Sequence, residues 1–297
     1  MRGGLIAHGT GTLSLAAVRR RAYGAFMHQP RFVYGTAWKE GNTQALVGLA
    51  LAAGFRAIDT ANQRKHYHEA AVGDALADAY ASRLVRREDL FLQTKFTHRG
   101  GQDDRLPYDS RAAVASQVEQ SFASSLEHLR TSWLDSYVLH GPSTRRGLAL
   151  EDVEAWHAME AIHAAGGARV LGVSNVTREQ LECLLAQATV RPSFVQNRCH
   201  ASTGWDREVR EVCRAHGIVY QGFSLLTANR RELAHPKVRA IADRLSLTPA
   251  QVAFRFALDV GILPLTGTTS AQHMSEDLAV LDCPALGPED RHLLEAF

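Results

Sequence analysis

Four side chains able to exchange protons or steer charge are spaced along the first half of the chain: Asp59, Tyr67, Lys95 and His140. Asp59 closes the run Phe55-Arg56-Ala57-Ile58-Asp59, and Lys95 ends the mostly apolar run Phe91-Leu92-Gln93-Thr94-Lys95. His140 follows Leu134-Asp135-Ser136-Tyr137-Val138-Leu139. A lysine inside an apolar run must find a partner or shift its pKa, and Asp59 is the expected partner. The chemistry such a set offers is reduction of a carbonyl. The carbonyl oxygen needs a proton, which a phenol can give once a nearby ammonium stabilises the phenolate. A carboxylate keeps that ammonium charged, and an imidazole can hold the oxygen. No side chain donates hydride, so a cofactor must. Taken singly, each residue has a plainer reading: Asp59 as a turn cap or structural partner of Lys95, and His140 as a hydrogen-bonded core histidine.

These residues need elements that bring them together. From Phe32 onward, short β-rich runs alternate with amphipathic helical runs, the pattern of parallel βα units. Eight strands are predicted, over 32–36, 55–59, 90–95, 136–140, 169–174, 194–197, 218–224 and 262–266. Between them, Asn42 or Thr43 caps a first helix that Gly54 stops, and Ser110 caps a helix carrying Val114, Val118, Phe122, Leu126 and Leu129. Gly166-Gly167 ends another helix. Thr177 with Gln180, and Thr248 with Gln251, read as capping boxes, and Ser270 caps a late helix. An open doubly wound sheet would normally carry a Gly-rich phosphate loop. Gly9-Thr10-Gly11-Thr12 lacks the third glycine and a preceding strand. The expected fold is therefore α/β, a closed eight-stranded parallel (β/α)8 TIM barrel. In such a barrel, function sits at the C-terminal ends of the strands, where Asp59, Lys95, His140, Ser174-Asn175, Gln196-Asn197, Phe223-Ser224 and Thr266-Gly267-Thr268-Thr269 all collect.

Composition bounds the rest. With 297 residues, 45% hydrophobic, the chain has length and apolar content for one such domain. Residues 31–297 are expected to form it, with 1–30 as a poorly structured N-terminal extension. That extension has no Asp or Glu and carries Arg2, Arg19, Arg20 and Arg21, a composition shared with organelle transit peptides. A net charge of +2 points to neither nucleic acid nor an anionic membrane as partner. No apolar run reaches the ~18 residues of a membrane span. Cys183, Cys199, Cys213 and Cys283 form no CxxC or zinc-finger pattern, and reduced thiols in a cytoplasmic protein are expected.

Gly54-Phe55-Arg56-Ala57-Ile58-Asp59-Thr60-Ala61, Leu134 through His140, and Leu171-Gly172-Val173-Ser174-Asn175 together resemble the signatures of the aldo-keto reductase family, in the family's order, with the likeness running from about Gly35 to the C-terminus. The resemblance implies an NADPH-dependent reductase of a small-molecule carbonyl substrate, with NADH the alternative cofactor and no metal, acting as a monomer or weak homo-oligomer. It implies Tyr67 as proton donor, tuned by Lys95 and Asp59, with His140 orienting the carbonyl. It implies Ser174, Asn175 and Gln196 on the nicotinamide carboxamide, Phe223 against the ring, and Thr36 beneath it. Ser224 and Leu226 would follow the pyrophosphate. Thr266, Thr268, His273, Glu276 and Asp277 would complete the cofactor contacts, and Trp38 would line the substrate pocket with Tyr67 and His140.

Three departures stand out. The loop from Asp59 to Tyr67, through Asn62-Gln63-Arg64-Lys65-His66, is longer than the family's. The family's phosphate-gripping lysine and arginine after strand eight are absent, with Leu265 and His273 near those positions. A helix starting at Ser270 can still receive a phosphate on its backbone N–H groups. The chain ends at Phe297 without a long closing tail, so a more open pocket is expected. Pocket walls are expected from Trp38 and the loops 99–108 and 143–148. Two rival readings remain at this level. His66-Tyr67-His68 matches the HxH run of metal-dependent barrel hydrolases, and a cofactor-sensing regulatory subunit would keep the same residues without turnover.

Overall fold

The computed structural model describes residues 30–297, and the arginine-rich segment and Gly9-Thr10-Gly11-Thr12 lie outside them. Eight parallel strands close into a barrel in chain order: β1 (Val33–Gly35), β2 (Ala57–Asp59), β3 (Phe91–Phe96), β4 (Leu134–Leu139), β5 (Ala168–Ser174), β6 (Phe194–Arg198), β7 (Val219–Phe223) and β8 (Leu263–Thr266). Closure comes from β1 pairing with β8, Val33 beside Leu265 and Tyr34 beside Thr266. Among the described residues no helix is long and apolar enough to cross a membrane.

The period-two alternation of strands explains the interior. Val33, Ala57, Phe91, Phe194, Val219 and Leu263 form a small apolar cluster, separate from the larger core between strands and helices. Two residues further along the same strands, Ala57 gives way to Asp59, Phe91 to Gln93, Phe194 to Gln196 and Val219 to Gln221. One more step along β3 is Lys95. The barrel thus has an apolar floor, then a buried polar layer, then the site. Asp59 registers with Gln93 and Gln196 with Gln221 across neighbouring strands.

All eight predicted strands are present, with ends shifted by one or two residues. β4 starts earlier than expected because Leu134 already pairs with Ala168, and His140 lies just past its end. Thr177–Gln180 and Thr248–Gln251 are reciprocal capping boxes. Ser270 Oγ accepts the His273 N–H, and Gly54 turns its helix out at φ 112°. Ser110 is not a cap. The helix Val114–Leu129 begins after Ala113, because Asp109 Oδ1 holds the Arg111 N–H and its carbonyl holds the Ala112 N–H in a tight turn.

Candidate active site

Asp59, Lys95 and His140 reach one point because three neighbouring strands end there. Lys95 is wholly buried and donates to Asp59 Oδ1 (2.6 Å), Asp59 Oδ2 (2.7 Å) and the Thr60 carbonyl (2.8 Å). All three of its hydrogens are committed. Burial pulls the ammonium below the usual lysine range while the Asp59 carboxylate pulls it back. Asp59 Oδ1 also accepts from Gln93 (2.6 Å) and Gln196 (3.0 Å), so this carboxylate is densely solvated by the protein.

Tyr67 arrives by a different route. The lengthened loop folds on Gln63, whose carbonyl accepts both the His66 N–H (3.2 Å) and the Tyr67 N–H (3.0 Å). Gln63 Nε2 in turn donates to the Gly101 carbonyl (2.7 Å). The Trp38 N–H donates to the His66 carbonyl (2.7 Å), tying the loop to the end of β1. The extra residues are absorbed in this turn, and Tyr67 emerges with its ring centroid 5.3 Å from Lys95 Nζ and 5.8 Å from the His140 ring. Burial, and then the Asp59 charge, push its phenol well above the ordinary tyrosine range. His140 Nδ1 lies 2.7 Å from Thr97 Oγ1. Burial, with the Lys95 charge next, brings its pKa down to about 3, so the imidazole is neutral at neutral pH. A Thr97 hydroxyl that donates to Nδ1 leaves the ring hydrogen on Nε2.

Asp59, Tyr67 and His140 open onto a cavity of about 610 Å³. Trp38, Asp59, Tyr67 and His140 line it on one side. Ser174, Asn175, Gln196, Phe223, Ser224 and Leu226 line it on the other, with Thr266 and Thr268 at the β8 end. Ser174 Oγ donates to the Gln196 carbonyl (2.6 Å), and Asn175 Nδ2 donates to the His140 carbonyl (2.8 Å) and Ser174 Oγ (3.1 Å). Asn175 (φ 54°) and Ser224 (φ 57°) take left-handed backbone just where β5 and β7 end, which bends both chains away at the mouth.

Thr36 does not line the cavity; it is fully buried with its hydroxyl on the Asp59 carbonyl (3.0 Å), a support beneath the carboxylate. His273, Glu276 and Asp277 also stand apart from it. His273 is exposed, Glu276 accepts from Gln272 (2.7 Å), and Asp277 is buried, its carboxyl raised to about 6 by burial. The loops 99–108 and 143–148 are not walls of this cavity. Arg105, Leu106 and Pro107 instead border a smaller one, about 330 Å³, behind Tyr67. His66 and His68 face different cavities, front and rear, so they share no ligand position.

Three of the lining residues that were not expected carry a cation or a ring. Lys39 is buried and its ammonium donates to the Gly267 carbonyl, and Arg198 is exposed at the end of β6 with its guanidinium 5.7 Å from the Phe223 ring. Both are cations lining the cavity, and their adjacency to Trp38 and Asn197 in sequence was the available signal. The third, His66, lies against Trp38 with ring centroids 3.9 Å apart.

A sequence model of the Aldo/keto reductase family matches residues 33–297. An aldo-keto reductase from Mycolicibacterium vanbaalenii is 32% identical over 243 residues, 82% of this chain and 79% of that protein. The structure of an aldose reductase from Schistosoma japonicum superposes with a TM-score of 0.76 at 25% identity, covering 90% of this chain and 87% of that one. A Bombyx mori aldo-keto reductase, solved in complex with NADP, has the same fold, with a TM-score of 0.76 at 24% identity over 90% of this chain and 88% of that one.

Proposed function

The chain belongs to the aldo/keto reductase family, and from that premise we propose that it reduces aldehydes or ketones to alcohols with NADPH, with Tyr67 as the proton donor. The observation that carries this reading is the convergence of Tyr67, Asp59 and His140 on one cavity, with Lys95 buried behind them on Asp59. The donor set there fits a nicotinamide. Gln196 Oε1 and Asn175 Oδ1 have no protein donor among the described residues, so a carboxamide N–H finds acceptors, and Phe223 offers a ring face. Ser224, Leu226, Thr266 and Thr268 continue the same wall, and Lys39 and Arg198 bring the positive charge that a phosphate needs. When bound, the nicotinamide supplies the hydride.

The chain's own residues do the rest. His140, neutral and carrying its hydrogen on Nε2, holds the substrate oxygen by a hydrogen bond without adding charge. The Tyr67 hydroxyl proton passes to that oxygen as the C–H bond forms, leaving a phenolate. Lys95 stabilises this phenolate through its field rather than by a direct hydrogen bond, since its three N–H groups face Asp59 and Thr60. Trp38 and His66 wall the substrate side with flat aromatic surface, which favours aromatic carbonyls. Residues 31–297 act as one catalytic domain. Four unpaired cysteines support work in a reducing compartment such as the cytoplasm.

The test is Tyr67→Phe, assayed with an aromatic aldehyde and NADPH. Loss of a general acid costs about 10²–10⁴ in turnover. Cofactor affinity should be unchanged, and reduction at the parent rate would remove Tyr67 from the role.

A further inference from the structure

Inside the barrel, below the groups that face substrate, lie three glutamines. Gln93 and Gln221 are 0% exposed and Gln196 is 3% exposed. A primary amide sealed from water is costly unless its hydrogen bonds are made, and an apolar side chain would fill either space on β3 or β7 without that demand. Here Gln93 Nε2 donates to Gln221 Oε1 (2.9 Å), and Gln221 Nε2 donates back to Gln93 Oε1 (3.2 Å). The pair is anchored at one end, where Gln93 Nε2 also donates to Asp59 Oδ1 (2.6 Å).

Gln196 hangs on this pair. Its Nε2 donates to Gln221 Oε1 (2.8 Å) and to Asp59 Oδ1 (3.0 Å), which uses both of its hydrogens. Turned over, the Gln196 amide would press its own oxygen against a carboxylate and a carbonyl, neither of which can donate. Gln221 Oε1 is itself held by the reciprocal bond with Gln93. The result is that Gln196 Oε1 is left with no protein donor, on a residue that lines the cavity.

We propose that Gln93 and Gln221 are positioning residues: a reciprocal amide pair that fixes the Gln196 amide with its oxygen toward the cavity, where it selects a ligand carrying an amide N–H. The inference rests on the proposed nicotinamide-dependent reaction, because the carboxamide of that cofactor is the N–H donor. A 3-acetylpyridine analogue keeps the carbonyl and lacks the N–H, so it does not benefit from the fixed oxygen.

The experiment compares the affinity of the full chain for NADP⁺ and for the 3-acetylpyridine analogue of NADP⁺, by tryptophan fluorescence. It uses the parent, Gln93→Met, Gln221→Met and the double variant. The parent should prefer NADP⁺ by about tenfold, the value of one well-made buried hydrogen bond. In the variants the preference should fall to about twofold through weaker NADP⁺ binding alone, with analogue affinity unchanged. In Gln221→Met, whose amide does not touch Asp59, the KM for NADPH should rise while kcat with an aromatic aldehyde stays within about threefold. Variants that melt lower yet keep the parent's preference would mean the pair only fills space, which overturns the proposal. A parent that binds both nucleotides equally overturns it without any variant. Should the single variants not fold, the double variant, which leaves no half-paired amide between these two positions, carries the same comparison. Absence of turnover in a parent that still prefers NADP⁺ would sink the proposed reaction and leave the amide pair's role standing.

Discussion

Trp38 and His66 lie ring against ring, centroids 3.9 Å apart and planes 35° from parallel, although they come from different loops. Trp38 is 68% exposed and sits at φ 62°, an uncommon conformation for so large a residue. The His66 carbonyl receives the Trp38 N–H at 2.7 Å, which compensates part of that strain. Trp38→Ala should therefore raise KM for a flat aromatic aldehyde by about tenfold, an aromatic contact plus lost area. It should leave KM for a short aliphatic aldehyde within about twofold. Steady-state kinetics on the two substrates reads this directly; equal losses for both would mean the ring does not touch substrate.

His140 makes a prediction about acid. Its pKa is about 3 in the fold and near 6.5 when unfolded, so the unfolded chain binds the proton first. The sign follows: the residue's contribution is intact above pH 6.5 and is lost progressively as pH falls toward 3. Between pH 7 and pH 5 the parent should lose about 2 kcal/mol through this group, a loss that His140→Asn should not show. Urea denaturation at the two pH values measures it. Over the same range kcat/KM for reduction should show no limb near 6.5, since the imidazole stays neutral.

The phenol of Tyr67 predicts the opposite end of the scale. Burial and the Asp59 carboxylate both favour its protonated form, so reduction should stay flat through neutral pH and fall only in alkali. Alcohol oxidation needs the phenolate and should rise with pH over that span. A pH profile in each direction tests the pair of limbs; an oxidation rate independent of pH would contradict Tyr67 as the base.

Breaking the buried ion pair should cost more than removing it. Lys95→Met leaves the Asp59 carboxylate buried, an error of about 3–5 kcal/mol, whereas Asp59→Asn with Lys95→Met leaves no net charge inside. The double variant should melt above the single Lys95→Met variant, though neither turns over. Calorimetry decides the order.

Gly73 is the contact point between the helices Glu69–Ala81 and Val114–Leu129. A Cβ there would lie 1.8 Å from the His128 carbonyl oxygen. Gly73→Ala must push the helices apart and should destabilise the fold by about 1–3 kcal/mol despite alanine's better helix propensity. It also disturbs Glu69, which accepts from Thr94 and from His128 Nδ1 (3.0 Å) just behind Tyr67. A variant as stable as the parent by denaturation would show that the helices can part freely.

The strand-end residues were legible in the sequence because a parallel barrel puts the C-terminal residue of every strand on one rim. Asp59, Lys95 and His140 needed only the alternation of βα units. Thr36, His273, Glu276 and Asp277 were carried by resemblance, and the cavity lining does not include them. Lys39, Arg198 and His66 escaped because their place depends on how loops fold back. No periodicity encodes the turn on Gln63 that brings His66 over Trp38. The buried glutamines were hidden for another reason. Gln93 and Gln221 are separated by 128 residues, and each alone reads as an isolated polar interruption of a strand.

An aldehyde is an electrophile that condenses with free amines, and a pocket that handles aldehydes beside lysines risks blocking itself. The placement of Lys95 removes that hazard. With three hydrogens directed at two carboxylate oxygens and a carbonyl, its nitrogen has no lone pair to offer. The same bonds that set the charge of the site also keep this amine from being modified by what passes through it.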